Sequence, residues 1–188
     1  MPNWTKRARI LGAHSARTIR TKTIVVADWV RAKCQFGCGG YGERLTCPPF
    51  SLSPETTRKL LADYKRGVLI RLDGRGGDDD EEELRRQLHN LVADLEREIF
   101  LAGYYRAFGM AAGPCTLCDT CAVGEPCKYP ERARPAMEAC GVDVFSTVRN
   151  ARWRIESAEG SPPFPIFTAA DRRISAEGSN SLNPFNAI

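Results

Sequence analysis

Four of the chain's eight cysteines fall within thirteen residues, Cys115-Thr-Leu-Cys118-Asp-Thr-Cys121-Ala-Val-Gly-Glu-Pro-Cys127, and this run constrains the fold more than any other feature. Three thiols separated by two residues each make a loop that wraps one corner of a cube, with successive sulfurs reaching different irons. A single zinc ion prefers two separate C-x2-C knuckles. The run therefore points to a bound metal centre built on irregular backbone, around which the remaining elements must be arranged.

The other cysteines are read in that light. Cys34-Gln-Phe-Gly-Cys38-Gly-Gly-Tyr-Gly-Glu-Arg-Leu-Thr-Cys47-Pro-Pro-Phe carries three thiols among four glycines and two prolines. Such a stretch cannot be regular helix or central strand, so it is expected to be a loop, and three cysteines argue that it is ordered. Three ligands are one short of four. The simplest partition assigns Cys115, Cys118, Cys121 and Cys127 to one cluster and Cys34, Cys38, Cys47 and Cys140 to a second. A swapped partition of Cys127 and Cys140 is also physically reasonable, because in two-cluster ferredoxins the fourth cysteine of a compact run ligates the other cluster. Taken alone, Cys140 reads as a small buried apolar residue. Zinc held by four thiolates is the alternative metal. A cluster held by only three cysteines is a further alternative, since its fourth iron is open to substrate and makes the chain an enzyme.

Composition decides between metal and disulfide. The amino terminus has charge but no continuous apolar core of a secretory signal, so a reducing cytoplasmic compartment is expected, where clustered C-x2-C spacing binds metal. The longest apolar stretches are far shorter than the roughly 18 residues a spanning helix needs, so no membrane span is expected. The formal charge is +4, from 27 basic and 23 acidic residues, with every cysteine counted neutral. Two 4Fe-4S clusters on four thiolates each, at about two net negative charges per site, bring this close to zero. The basic balance is then no argument for a nucleic-acid partner.

Along the chain, Trp4 to Leu11 reads as a short helix stopped at Gly12, Ala16 to Arg20 as a strand, and Thr23 to Val30 as a second strand delivering the chain to Cys34. Ser53-Pro54-Glu55 is a helix start, with Ser53 as cap and Pro54 in the first turn; the helix is expected to reach about Lys65. Val68 to Leu72 has the continuous apolar character of a buried strand. After a Gly-rich acidic turn from Asp73 to Asp80, Leu84, Leu88, Leu91, Leu95 and Ile99 recur at helical spacing, giving a long amphipathic helix through about Ala102. Tyr104 to Met110 reads as a strand leading into the compact run. Pro135 to Cys140 is expected as a short helix closed by Gly141, Asp143 as the cap of another helix through Asn150, and Trp153 to Glu156 as a last strand.

These elements describe an α+β single domain over residues 1–156: a small mixed sheet packed by helices, with two cysteine-rich metal-binding loops. From Ser157 to Ile188 the chain is rich in Pro, Ser and Gly and is expected to be a flexible tail. His14 and His89, the two histidines, are expected to be solvated residues beside helices. Tyr41, Phe36 and Phe50 are candidates to shield the first site from water, and Glu43 and Arg44 to hydrogen-bond around it. There is no Gly-x-Gly-x-x-Gly, phosphate loop or Ser-His-Asp pattern, so nothing independent points to nucleotide or hydrolytic chemistry.

Three strings in order, Cys34-x3-Cys38-Gly-Gly-Tyr-Gly-x-Arg-Leu-Thr-Cys47-Pro-Pro-Phe, Gly113-Pro-Cys115-x2-Cys118-x2-Cys121-x5-Cys127 and Arg134-Pro-x-Met-Glu-Ala-Cys140-Gly-Val-Asp-Val-Phe, resemble domain-of-unknown-function family 2284. That family is described as predicted metal-binding proteins of anaerobic bacteria and archaea. The resemblance covers roughly residues 1 to 155 and implies that all eight cysteines, Cys140 included, belong to the family pattern; it implies no reaction. Relatives continue into a final apolar strand where this chain shows a Pro/Ser-rich segment. The function expected is that of an iron–sulfur protein with two 4Fe-4S clusters carrying low-potential electrons to or from a partner redox protein. The alternatives are an enzyme with an open iron and a structural zinc module.

Overall fold

The computed structural model describes residues 2–73, 78–153 and 164–169 of the chain. Along it run α1 (Trp4–Ile10), β1 (Ser15–Arg20), α2 (Asp28–Gly37), α3 (Pro54–Ala62), β2 (Arg66–Leu72), α4 (Asp78–Leu101), β3 (Phe108–Met110), α5 (Val144–Asn150) and β4 (Phe164–Ala169). Short 3-10 turns occupy Thr21–Thr23 and Glu138–Cys140.

Where a cap side chain marks a helix, the helix is there. The Asn3 side chain accepts the Lys6 N–H, Ser53 accepts that of Thr56 with Pro54 behind it in the first turn, and Asp143 accepts that of Ser146. Each satisfies one N–H that the first helical turn leaves without an internal partner. Gly12 follows α1 at φ +112°, a conformation costly for any residue with a Cβ.

The four strands stand in the order β1-β2-β4-β3, antiparallel at all three pairings. The sheet was expected to be mixed; the parallel contact among the described residues is an isolated bridge from Ala111 to Ala136, just past β3. Because successive strand residues face opposite sides, β2 divides its apolar run between two cores. Val68, Ile70 and Leu72 pack with Leu88, Leu91, Leu95 and Ile99 of α4. Leu69 faces the other way, into a cluster with Tyr64, Met110, Met137, Val142 and Val148. Both faces are covered, which is why β2 reads as continuous rather than alternating. The α+β domain thus has helices on both faces of its sheet.

Three expectations are corrected. Ile24-Val25-Val26 has the β-branched look of a strand but contributes one isolated bridge, Val26 to Val142, and α2 begins at Asp28. Cys34 therefore lies on a helix rather than in a loop. Residues 104–107 form a turn, with the Ala107 N–H on the Tyr104 carbonyl, so the strand before the compact run is only Phe108–Met110. Phe164–Ala169, inside the stretch expected to be a flexible tail, is a strand lying between β2 and β3; the flanking Pro and Ser residues hid its apolar run. The acidic turn at 74–77, residues 154–156 of the supposed last strand, and the rest of the tail lie outside the described residues. Among the described residues, no helix is long and apolar enough to cross a membrane.

Candidate metal centre

The two cysteine segments meet each other through Arg44 and Leu45. In the first, α2 carries Cys34 in its last turn and ends at Cys38, whose backbone is already extended. The chain then folds on itself in successive turns. The Tyr41 N–H bonds the Cys38 carbonyl, Cys47 bonds Arg44, and Phe50 and Ser51 both bond Cys47; Gly42, at φ +79°, donates to Pro48 across the loop at 2.8 Å. These turns return Cys47 to the neighbourhood of Cys34 and Cys38. Burial holds the Cys47 thiol above its ordinary pKa, and Cys38 and Cys34 add to that rise, against Thr46 and Arg44. Cys34 is likewise raised by burial, then by Cys38 and Glu138, against Arg31. The trio forms one electrostatic group.

Arg31 anchors it. Its Nη1 donates to the Ser51 hydroxyl, the Leu52 carbonyl and the Ala139 carbonyl, the last at 2.7 Å, tying α2, the loop after Cys47 and the turn at Glu138–Cys140 together. No spacing rule singled out Arg31; an arginine three residues before a cysteine on a helix was the available signal.

The second segment hangs from a clamp at its base. The Ala111 N–H donates to the Pro135 carbonyl and the Met137 N–H returns to Ala111, both at 2.9 Å, closing the loop between them. Within it, Cys115, Cys118, Cys121 and Cys127 all line one small pocket. Leu117, Tyr129 and Ala133 supply its apolar wall, and Arg44, Leu45 and Thr46 of the first segment cover it. The Arg44 Nη1 donates to the Cys115 carbonyl at 2.7 Å, and the Leu45 N–H donates to Cys121 Sγ at 3.4 Å. Burial raises the Cys115 thiol above its ordinary pKa, and the Cys118 and Cys127 charges raise it further, against the Leu117 N–H and Arg44. Thiols held up in this way keep their protons until a cation supplies counter-charge, and metal ligation requires the thiolate.

The donor chemistry fits a metal centre: four thiols around one cavity, crossed by a backbone N–H aimed at sulfur. Among the described residues, no three His, Cys, Asp or Glu side chains are gathered about one point as a single ion requires. The eight cysteines are free thiols rather than disulfides.

Cys140 is placed differently. It is completely buried within the second apolar core, and burial pushes its thiol up to about 12 against the Leu52 backbone, Arg31 and Thr57, with Glu138 adding to the rise.

Other candidates sort clearly. Phe36 is 83% exposed and Phe50 49%, so neither shields the trio, while Tyr41 is half-buried. Glu43 is exposed, and Arg44 is the one of that pair that reaches a cysteine segment. His14 is exposed beside Asp73, but His89, expected to be solvated, is wholly buried on α4. Val92 and Ala93, one helical turn on, are buried with it. Its burial lowers its pKa to about 4, opposed by the Pro114 carbonyl and reinforced by Arg134. Helical spacing alone could have shown this, since position 89 lies three residues before Val92 and four before Ala93.

The family of predicted metal-binding proteins designated DUF2284 matches residues 17–168, most of the chain and all eight cysteines. The chain belongs to this family. As a DUF2284 protein it is a predicted metal-binding protein, and the matched span closes just inside the end of β4, so the family pattern includes the strand that completes the sheet. No curated protein and no solved structure is similar enough to count as a match.

Proposed function

We propose that this DUF2284 chain is an iron–sulfur protein that holds two 4Fe-4S clusters and passes low-potential electrons to or from a partner redox enzyme. The observation that carries this is that the four thiols of the compact run, Cys115, Cys118, Cys121 and Cys127, line one pocket; a single zinc ion prefers two separate C-x2-C knuckles. When bound, a cluster supplies one-electron chemistry at a potential set by its surroundings.

The chain's own residues set those surroundings. The Leu45 N–H on Cys121 Sγ withdraws electron density from that thiolate, and Arg44 places positive charge beside Cys115 and Cys47 at once. Both favour the more negative, reduced state. Leu117, Leu45 and Ala133 exclude water. Residues 44–47 also join the two sites: Cys47 belongs to the trio, and Leu45, two residues earlier, is hydrogen-bonded to Cys121. Electrons exchanged between the sites have this short covalent and hydrogen-bonded path.

The test is anaerobic purification followed by iron, zinc and sulfide analysis, with absorption and paramagnetic resonance spectra before and after dithionite. Iron and sulfide in equal amounts, with bleaching on reduction, are expected. Zinc without sulfide sinks the proposal.

A further inference from the structure

An open pocket of about 490 Å³ lies beside α3, and none of the eight cysteines lines it. It follows from the way residues 24–27 spend their backbone hydrogen bonds. The Val25 N–H donates to the Thr147 hydroxyl and its carbonyl accepts the Asp143 N–H, while the Ala27 N–H donates to the Gly141 carbonyl. These bonds commit the polar groups of the segment to α5 and the turn before it. Ile24 and Val26, on either side of Val25, stay only half-buried and line the pocket with Leu61, Ala62 and Tyr64.

The polar donors of the floor are already used. The buried Thr21 hydroxyl donates to the Tyr64 carbonyl, and the Thr21 N–H donates to the Lys65 carbonyl at 3.2 Å. Charge is confined to two cations. Arg58 Nη2 donates to the Val26 carbonyl at 3.3 Å and to Asp28 at 2.9 Å, so it braces α3 against residue 26 with its own charge balanced. Lys22 is exposed; among the described residues it has no ion pair, and no carboxylate lines the pocket.

An apolar wall with one unbalanced cation at its edge matches a molecule that has both parts. Area removed from water supplies the affinity, and the cation fixes one end. The volume is that of a small-molecule site, about 300–1,000 Å³. An inorganic anion uses none of the wall, and a lone exposed lysine holds it weakly. We propose that this pocket binds a small organic acid with an apolar body, an acyl or aryl carboxylate. The body lies against Ile24, Val26, Leu61 and Tyr64, and the carboxylate pairs with Lys22. This site does not depend on the metal-centre reading.

The test is calorimetric titration of the full-length chain with octanoate, beside octanol, which lacks the charge, and acetate, which lacks the chain. Octanoate is expected to saturate one site per chain and to bind more tightly than either. Lys22→Gln is expected to weaken octanoate about fivefold. Ala62→Trp, which fills the pocket from an exposed position at the end of α3, is expected to abolish octanoate binding with circular dichroism unchanged. Octanoate is also expected to shift the methyl resonances of Ile24, Val26 and Leu61 in the wild type, which decides the location should Ala62→Trp disturb the fold. Absence of saturation by octanoate overturns the proposal. So does equal octanoate affinity in Lys22→Gln, acetate or octanol binding as tightly as octanoate, or methyl shifts confined to other residues.

Discussion

Glu96→Gln tests whether the framework beneath the second cysteine loop is held by charge. Glu96 lies on α4 and is only 16% exposed, facing an Arg134 that is 15% exposed. It accepts Arg134 Nε at 2.6 Å, Arg134 Nη2 at 2.9 Å and the Gly109 N–H of β3 at 2.6 Å. Arg134 in turn donates to the Pro130, Glu131 and Ala133 carbonyls, which fixes the segment carrying Tyr129 and Ala133 against the pocket. Glutamine keeps the shape but has one acceptor oxygen and no charge, so at least one of the three bonds is lost and a half-buried guanidinium is left without its counter-ion. Breaking one side of a buried pair costs about 3–5 kcal/mol; the carbonyls that still receive Arg134 reduce this to about 2–3 kcal/mol. For a chain of this size that is a fall in Tm of about 4–12 °C. The assay is thermal unfolding followed by circular dichroism on equally metal-loaded proteins at one scan rate, because a metalloprotein need not unfold in two states. In parallel, alkylation rates of Cys115, Cys118, Cys121 and Cys127 are mapped by mass spectrometry and should rise. A shift below about 1 °C with unchanged alkylation would falsify the role given to this pair.

Gly109→Ala places a Cβ 2.5 Å from Val92 Cγ1 and 2.8 Å from Glu96 Oε2, so it should cost about 1–3 kcal/mol by overpacking, read as lower Tm with no change in metal identity. Arg44→Gln removes positive charge acting on Cys115 and Cys47 and, with the proposed cluster bound at Cys115 to Cys127, should lower its reduction potential; at about 1 kcal/mol of lost attraction this is roughly 40 mV in protein-film voltammetry, and a rise instead contradicts the electrostatics. His89 has a folded pKa depressed to about 4, so the unfolded chain binds the proton first. Its stabilising effect is complete above about pH 6.5 and is lost as pH falls toward 4, about 3 kcal/mol in all. His89→Leu should flatten that part of the stability profile relative to wild type at equal metal load; parallel profiles count against it.

Much of the framework is visible in local chemistry. Ser53 with Pro54 and Asp143 cap helices because a side-chain oxygen satisfies the first-turn N–H groups wherever the rest of the molecule lies. Leu84 to Ile99 and Val68 to Leu72 declare themselves because burial imposes the periodicity of the element on the residue pattern. Misleading segments are those where a local preference is overruled by long-range contact. Ile24-Val25-Val26 has strand-like side chains but reaches Val142 alone, because Ala27 and Val25 bond instead to the turn and helix start at Gly141 and Asp143. Phe164–Ala169 is too short and too flanked by proline to stand out, yet β2 and β3 provide partners on both sides.

The same division applies to the compact cysteine run. By itself the sequence determines that four thiols lie within reach of one centre, since ligand spacing along a loop is a property of covalent geometry. Only the tertiary structure decides what surrounds them: Leu45 turns its N–H toward Cys121, the Glu138 backbone carbonyl lies 4.0 Å from Cys34 Sγ, and Cys140 sinks into the core. Those placements depend on packing between segments about a hundred residues apart, and no local pattern records them.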